Sequence, residues 1–169
     1  MALPYIIPDD ELDLNLGILL LIIASIGETA RKRLVINNEI AHIFFFLVKN
    51  PALLNKFLYE LEKPGLPLLP TEAFSVASLS TDDAVYYDRK SMRFLLSSLT
   101  QRKLIEIVYL PQKGFYYKAS ELGMETTSKL DSAYFQRTKD FIDHLKKVQS
   151  ISLKNMINVI NRILKSELE

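Results

Sequence analysis

A chain of 169 residues, 49% of them apolar, is long enough for one sizeable core with appended helices. It has no cysteine, which excludes disulfides, a thiolate nucleophile and a cysteine zinc site, and fits a reducing, cytoplasmic setting. The net charge of +1 is low for a protein that holds nucleic acid mainly through its phosphates.

That charge is unevenly spread. Residues 1–30 carry five acids and no Lys or Arg, whereas residues 81–118 carry seven bases and four acids. Pro4 and Pro8 predict an extended tail over residues 1–10. No signal peptide is expected, because acids and not bases precede the first apolar run. That run, Leu14–Ile26, has 13 residues, short of the roughly 20 a membrane span needs. It predicts a core helix from about Glu11 to Ile26, apolar nearly all round, capped by Asp10 or Asp13 and stopped by Gly27.

Arg31-Lys-Arg33 makes a basic turn, and Leu34-Val35-Ile36 has the composition of a short edge strand. Asn37-Asn38 signals the cap of a second helix, Glu39–Val48, with Ile40, Ile43, Phe44 and Leu47 on one face. Asn50-Pro51 caps and starts a third, with Leu53, Leu54, Phe57, Leu58 and Leu61 as its stripe. Three prolines and a glycine break the pattern over Lys63–Pro70, and residues 71–87 read either as a short helix or as an irregular arm.

From Asp88 the signal strengthens. Met92, Leu95, Leu96 and Leu99 form one helical face. Two β-branched and aromatic runs, Lys103–Leu110 and Phe115–Ala119, flank Pro111-Gln-Lys-Gly114 and predict a hairpin. Ser120 then caps another helix. Helix, hairpin, helix is the order of a winged helix. An amphipathic helix with Tyr134, Thr138, Phe141, Leu145 and Val148 follows, and a last helix carries Leu153, Met156, Ile157, Ile160 and Leu164 after Ser150 or Ser152. The expected fold is mostly α with a small β-hairpin: a tail (1–10), a winged-helix-like core (11–130) and a C-terminal helical extension (131–169).

Little in the chain points to catalysis. Glu39 and His42 are three apart on a helix, as two metal ligands could be, but no third ligand is near and a core or surface histidine is favoured. His144 lies among charges on a solvated face. Asp9, Asp10, Glu11 and Asp13 suit helix capping better than acid–base chemistry, which needs rigid placement. Five scattered glycines make no phosphate loop. No metal or cofactor is expected.

The winged-helix stretch is the functional candidate. Arg89, Lys90 and Arg93 on its helix, with Arg102, Lys103 and Lys113 nearby, are the residues for a DNA contact. Asp82, Asp83 and Asp88 oppose that, and Tyr109, Phe115, Tyr116 and Tyr117 on the strands are of a composition favoured at protein interfaces. Protein docking is therefore favoured. The expected interface is Tyr109, Lys113, Phe115, Tyr116 and Tyr117 on the wing, with Phe141, Leu145, Met156 and Ile160 on the terminal helices.

Several segments carry a resemblance: Leu16–Ile26, Asn37–Leu54 with its Asn50-Pro-Ala-Leu-Leu54, Asp88–Ile105, and Gly114–Tyr134 ending in Leu130-Asp-Ser-Ala-Tyr134. In these and in size the chain resembles the small middle components of ABC three-component systems, a group that includes Lamassu-type antiphage defence operons. The resemblance implies a non-enzymatic adaptor in a bacterial antiphage or anti-plasmid complex. It would link an SMC-like ABC ATPase sensor to an effector nuclease, reach DNA only through the complex, and have no membrane partner. The alternative from the residues alone is a homodimeric winged-helix transcription regulator.

Overall fold

The structure, a computed structural model, describes residues 11–73 and 88–167. The expected tail with Asp9 and Asp10, and most of the expected arm, including Asp82 and Asp83, lie outside the described residues. Within them the chain is mostly α with a two-stranded hairpin. In order come α1 (Leu12–Ile26), α2 (Asn38–Lys49), α3 (Pro51–Glu60), α4 (Pro70–Ala73), α5 (Arg89–Gln101), β1 (Ile105–Leu110), β2 (Gly114–Ala119), α6 (Glu121–Ser128), α7 (Ala133–Lys146) and α8 (Leu153–Glu167).

The centre is α1. Every residue from Leu16 to Ile23 is buried, and so is Ile26, so the helix has no polar face to offer water over two turns. It is covered by α2, α5, α6, α7 and β2. Burying each Leu or Ile side chain is worth about 1.5–3 kcal/mol relative to leaving it exposed. No helix among the described residues is long and apolar enough to cross a membrane.

The cap residues partly redistribute the expected roles. Glu11, not Asp13, is the N-cap of α1, and it makes no side-chain cap bond. Gly27 ends α1 in ordinary right-handed backbone, φ −56°, and its carbonyl accepts from Val35 N at 3.0 Å. Asn37 caps α2 by accepting from Ile40 N at 2.9 Å. Asn50 is the N-cap of α3 by position but makes no side-chain cap bond there; its Nδ2 donates back to Phe46 O at 2.8 Å and closes α2. The Leu34–Ile36 strand reduces to single links: Leu34 bridges Glu28, and Ile36 O accepts from Tyr117 N at 2.8 Å.

The terminal helices join the same core. Phe141, Ile142 and Leu145 of α7, and Met156, Val159 and Ile160 of α8, are buried in one cluster with α1. The α1–α7 crossing is close because Gly17 presents no side chain to Phe135; a Cβ there would stand 2.8 Å from the ring. A tighter approach occurs at α6, where a Cβ on Gly123 would stand 2.0 Å from Leu104 O. That carbonyl also accepts from Ser120 N at 3.0 Å, so backbone rather than a yielding side chain fills the space.

A polar clamp holds the proline-rich loop against α7. Arg137 donates from Nε to Glu72 Oε1 and from Nη2 to Glu72 Oε2, both at 2.7 Å, and from Nη2 to Pro67 O at 2.7 Å. Its guanidinium lies 4.8 Å over the Phe141 ring. The bond from Arg137 holds the Glu72 carboxyl below its ordinary value.

Two stability predictions result. Gly123→Ala should lower the denaturation midpoint by the equivalent of about 1–3 kcal/mol or more, the cost of overpacking against fixed atoms. Gly17→Ala should cost less, because the Phe135 ring can turn aside; equal losses in urea titrations would contradict the packing described. Glu72→Gln should destabilise by on the order of 1–2 kcal/mol at pH 7, since it removes a charge-assisted bidentate pair. Because the folded carboxyl titrates below the unfolded one, that stabilisation is present above the ordinary Glu range and lost as pH falls through the depressed folded value. The gap between the two proteins should therefore close on acidification; a gap independent of pH would rule out the ion pair as its source.

Candidate interaction surface

Asp88 caps the helix that leads into the hairpin. Its carboxylate accepts from Ser91 Oγ at 2.6 Å and from Ser91 N at 3.2 Å, bonds that hold it below its ordinary value. Met92, Leu95, Leu96 and Leu99 face inward as their spacing requires. The chain then turns through Lys103, in left-handed backbone at φ 59°, and enters β1. Pro111 and Gln112 make the hairpin turn, with Gln112 at φ 67° and Gly114 at φ 96°. Lys113 N closes it on Leu110 O at 3.0 Å.

The register assigns each side chain to a face. Ile105 pairs with Ala119, Ile107 with Tyr117, and Tyr109 with Phe115 on one face; Glu106 with Lys118 and Val108 with Tyr116 lie on the other. The first face divides along its length. At the base Ile105 and Tyr117 are buried, and Tyr117 Oη donates to Asn38 Oδ1 at 2.6 Å. Burial pushes that phenol up. Toward the tip Ile107, Tyr109 and Phe115 are 50%, 61% and 58% exposed, with the Tyr109 and Phe115 rings 5.1 Å apart. On the second face Lys118 pairs with Glu106 at 3.6 Å, and Tyr116 is half-buried.

The expected interface set is thus redistributed. Tyr109, Phe115 and Lys113 are exposed, and Tyr116 lies on the opposite face from the first two. Tyr117 is an anchor of the hairpin, not part of its free surface. Phe141, Leu145, Met156 and Ile160 are buried within the chain and present nothing to a partner. Their apolar stripes fit α1 and α3, not an outside surface. Two exposed residues escaped the sequence reading. Ile107 joins Tyr109 and Phe115 once the three-residue turn fixes the register. Phe94, 57% exposed, stands off the stripe of Met92, Leu95 and Leu99, on the outward side of α5 beside Arg93.

The basic residues divide likewise. Arg89 is engaged by Glu39, and Arg102 lies 4.0 Å from Asp13. Lys90, Arg93 and Lys103 are exposed and make no ion pair among the described residues. The outward face of α5 is therefore two cations interrupted by an aromatic ring, which suits a protein surface better than a phosphate backbone.

His42 is buried on α2, and no group of three His, Asp or Glu that could hold a metal occurs among the described residues. His144 Nδ1 lies 2.8 Å from Asp140 O. The grooves beside α8, about 610 and 760 Å3, are open; the larger runs along Tyr59, Leu68 and Ile163, and the Arg162–Glu60 pair (3.6 Å) stands at its rim.

Comparison with known proteins places this architecture. The family model described as ABC-three component (ABC-3C) system Middle Component 4 matches residues 26–158, which take in α2, α3, α4, α5, β1, β2, α6, α7 and the start of α8. No curated protein and no solved structure matches the chain. The match spans most of the chain, including the helix and hairpin that expose Phe94, Ile107, Tyr109 and Phe115, and the chain belongs to the ABC-three component system Middle Component 4 family.

Proposed function

We propose that this chain is a non-enzymatic linking subunit of a defence complex, joining an SMC-like ABC ATPase sensor to its effector through a winged-helix-like module. A family defined as the middle component of a three-component system supports a role alongside other proteins. The observation that carries the reading is the exposed apolar tip of the wing, Ile107, Tyr109 and Phe115, against a base anchored by Ile105 and Tyr117. An exposed aromatic cluster on a rigid hairpin is the surface type that supplies hot spots. The succession α5, β1, β2, α6, with Ile36 O hydrogen-bonded to Tyr117 N where a winged helix has its third strand, supports the winged-helix description. Lys113 at the turn extends the same docking surface.

A DNA-binding regulator is the second reading, favoured only by the exposed Lys90 and Arg93. The linking reading expects DNA to be held by the assembled complex.

Two measurements separate these. In a complex reconstituted with the other components of the system, Tyr109→Asp together with Phe115→Asp should weaken association at least about 30-fold, the worth of one aromatic hot spot. Both side chains are exposed, so the melting temperature should hardly change; undiminished association would remove the wing from the interface. The isolated chain should bind duplex DNA weakly, and Lys90→Glu with Arg93→Glu should leave assembly intact. Tight, steeply salt-dependent DNA binding by the chain alone, lost in that double variant, would favour the regulator.

A further inference from the structure

We infer that the outer edge of β1 is a strand-docking site, and that its occupant is an extended segment of another component of the system with alternating apolar residues and an acid at each end. This rests on the linking reading and adds the mode of contact.

The hydrogen-bond pattern carries the inference. Tyr117 N donates to Ile36 O at 2.8 Å, outside the hairpin. In an antiparallel pair, opposed residues alternate between bonding each other and pointing their N–H and C=O outward. Tyr117 points outward, so its partner Ile107 does too, on the far edge. Tyr109, opposite Phe115, is two residues on and shares that orientation. The backbone groups of Ile107 and Tyr109 make no hydrogen bond outside the hairpin among the described residues. Free edges are usually blunted by proline, charge or a bulge. Here the outward positions are Ile and Tyr, and Pro111 comes only after the strand has ended.

The occupant follows from what surrounds the edge. Unpaired main-chain groups select an extended backbone. Ile107, Tyr109 and Phe115, on one face, select apolar side chains at every second position. On the other face Glu106 already has Lys118 and places no demand. Lys103 precedes the strand and Lys113 follows it, both exposed and without an ion pair among the described residues. A partner strand of about six residues, roughly 20 Å, therefore meets a cation at each end. A second copy fits badly. Antiparallel pairing about Ile107 would set the Lys103 end of one chain beside the Lys113 turn of the other at both ends.

The test is amide hydrogen exchange, resolved at Ile107 and Tyr109, in the free chain and in the complex reconstituted with the other components. On assembly both amides should slow at least about fivefold, the worth of one backbone hydrogen bond. Ile107→Pro deletes the outward N–H while sparing the ladder, and should weaken assembly by a similar factor, whereas Ile107→Val should not. A complex that forms with both amides exchanging as in the free chain overturns the edge site and leaves the linking reading standing. Slowing in the chain alone as its concentration rises assigns the edge to a second copy and also overturns it. Failure of any complex to form removes the linking reading, and the edge site with it.

Discussion

An apolar helix with no polar side must be covered on every side, and that constraint orders this molecule. From Leu16 to Ile26 the chain offers water almost nothing, so α2, α5, α6, α7 and β2 are drawn around α1 as a sleeve. The close approaches are where the sleeve is tightest. Gly17 lets α7 lie against α1, and Gly123 lets α6 lie against the entry to β1. The hairpin is held in this sleeve at its base, through Ile105, Tyr117 with its bond to Asn38, and main-chain bonds that include Tyr117 N to Ile36 O.

Most of this was legible in the sequence because the signals were periodic and punctuated. Caps at Asn37 and Ser120, and proline at the first position of α3, set helix starts within a residue or two. The hairpin followed from its composition and from Pro111–Gly114. The third strand was harder. Leu34–Ile36 reads as a strand but finds only isolated partners, because its neighbours are a turn and one peptide of β2.

The interface was less legible, for a physical reason. Phe141, Leu145, Met156 and Ile160 make apolar helical stripes, and a stripe buried in its own chain has the same composition as one buried against another chain. Only the three-dimensional cover separates the two. Conversely, Phe94 and Ile107 betray themselves by breaking a pattern: one lies opposite the apolar stripe of its helix, the other on the outer half of a face whose inner half is core. The clamp of Arg137 on Glu72 and Pro67 was invisible, since it joins residues 65 and 70 positions apart with no local signature.

The division of the hairpin into a buried base and an exposed tip also bears on how such a chain can change over generations. Ile105, Tyr117 and Gly123 are constrained by atoms of their own molecule, and replacing them disturbs the fold. Ile107, Tyr109 and Phe115 are half or more exposed, so they can be exchanged at small cost to stability. The residues that anchor the hairpin and the residues it exposes are thereby separate along its two strands. The tip can therefore be rewritten in single steps, each of which leaves a folded protein.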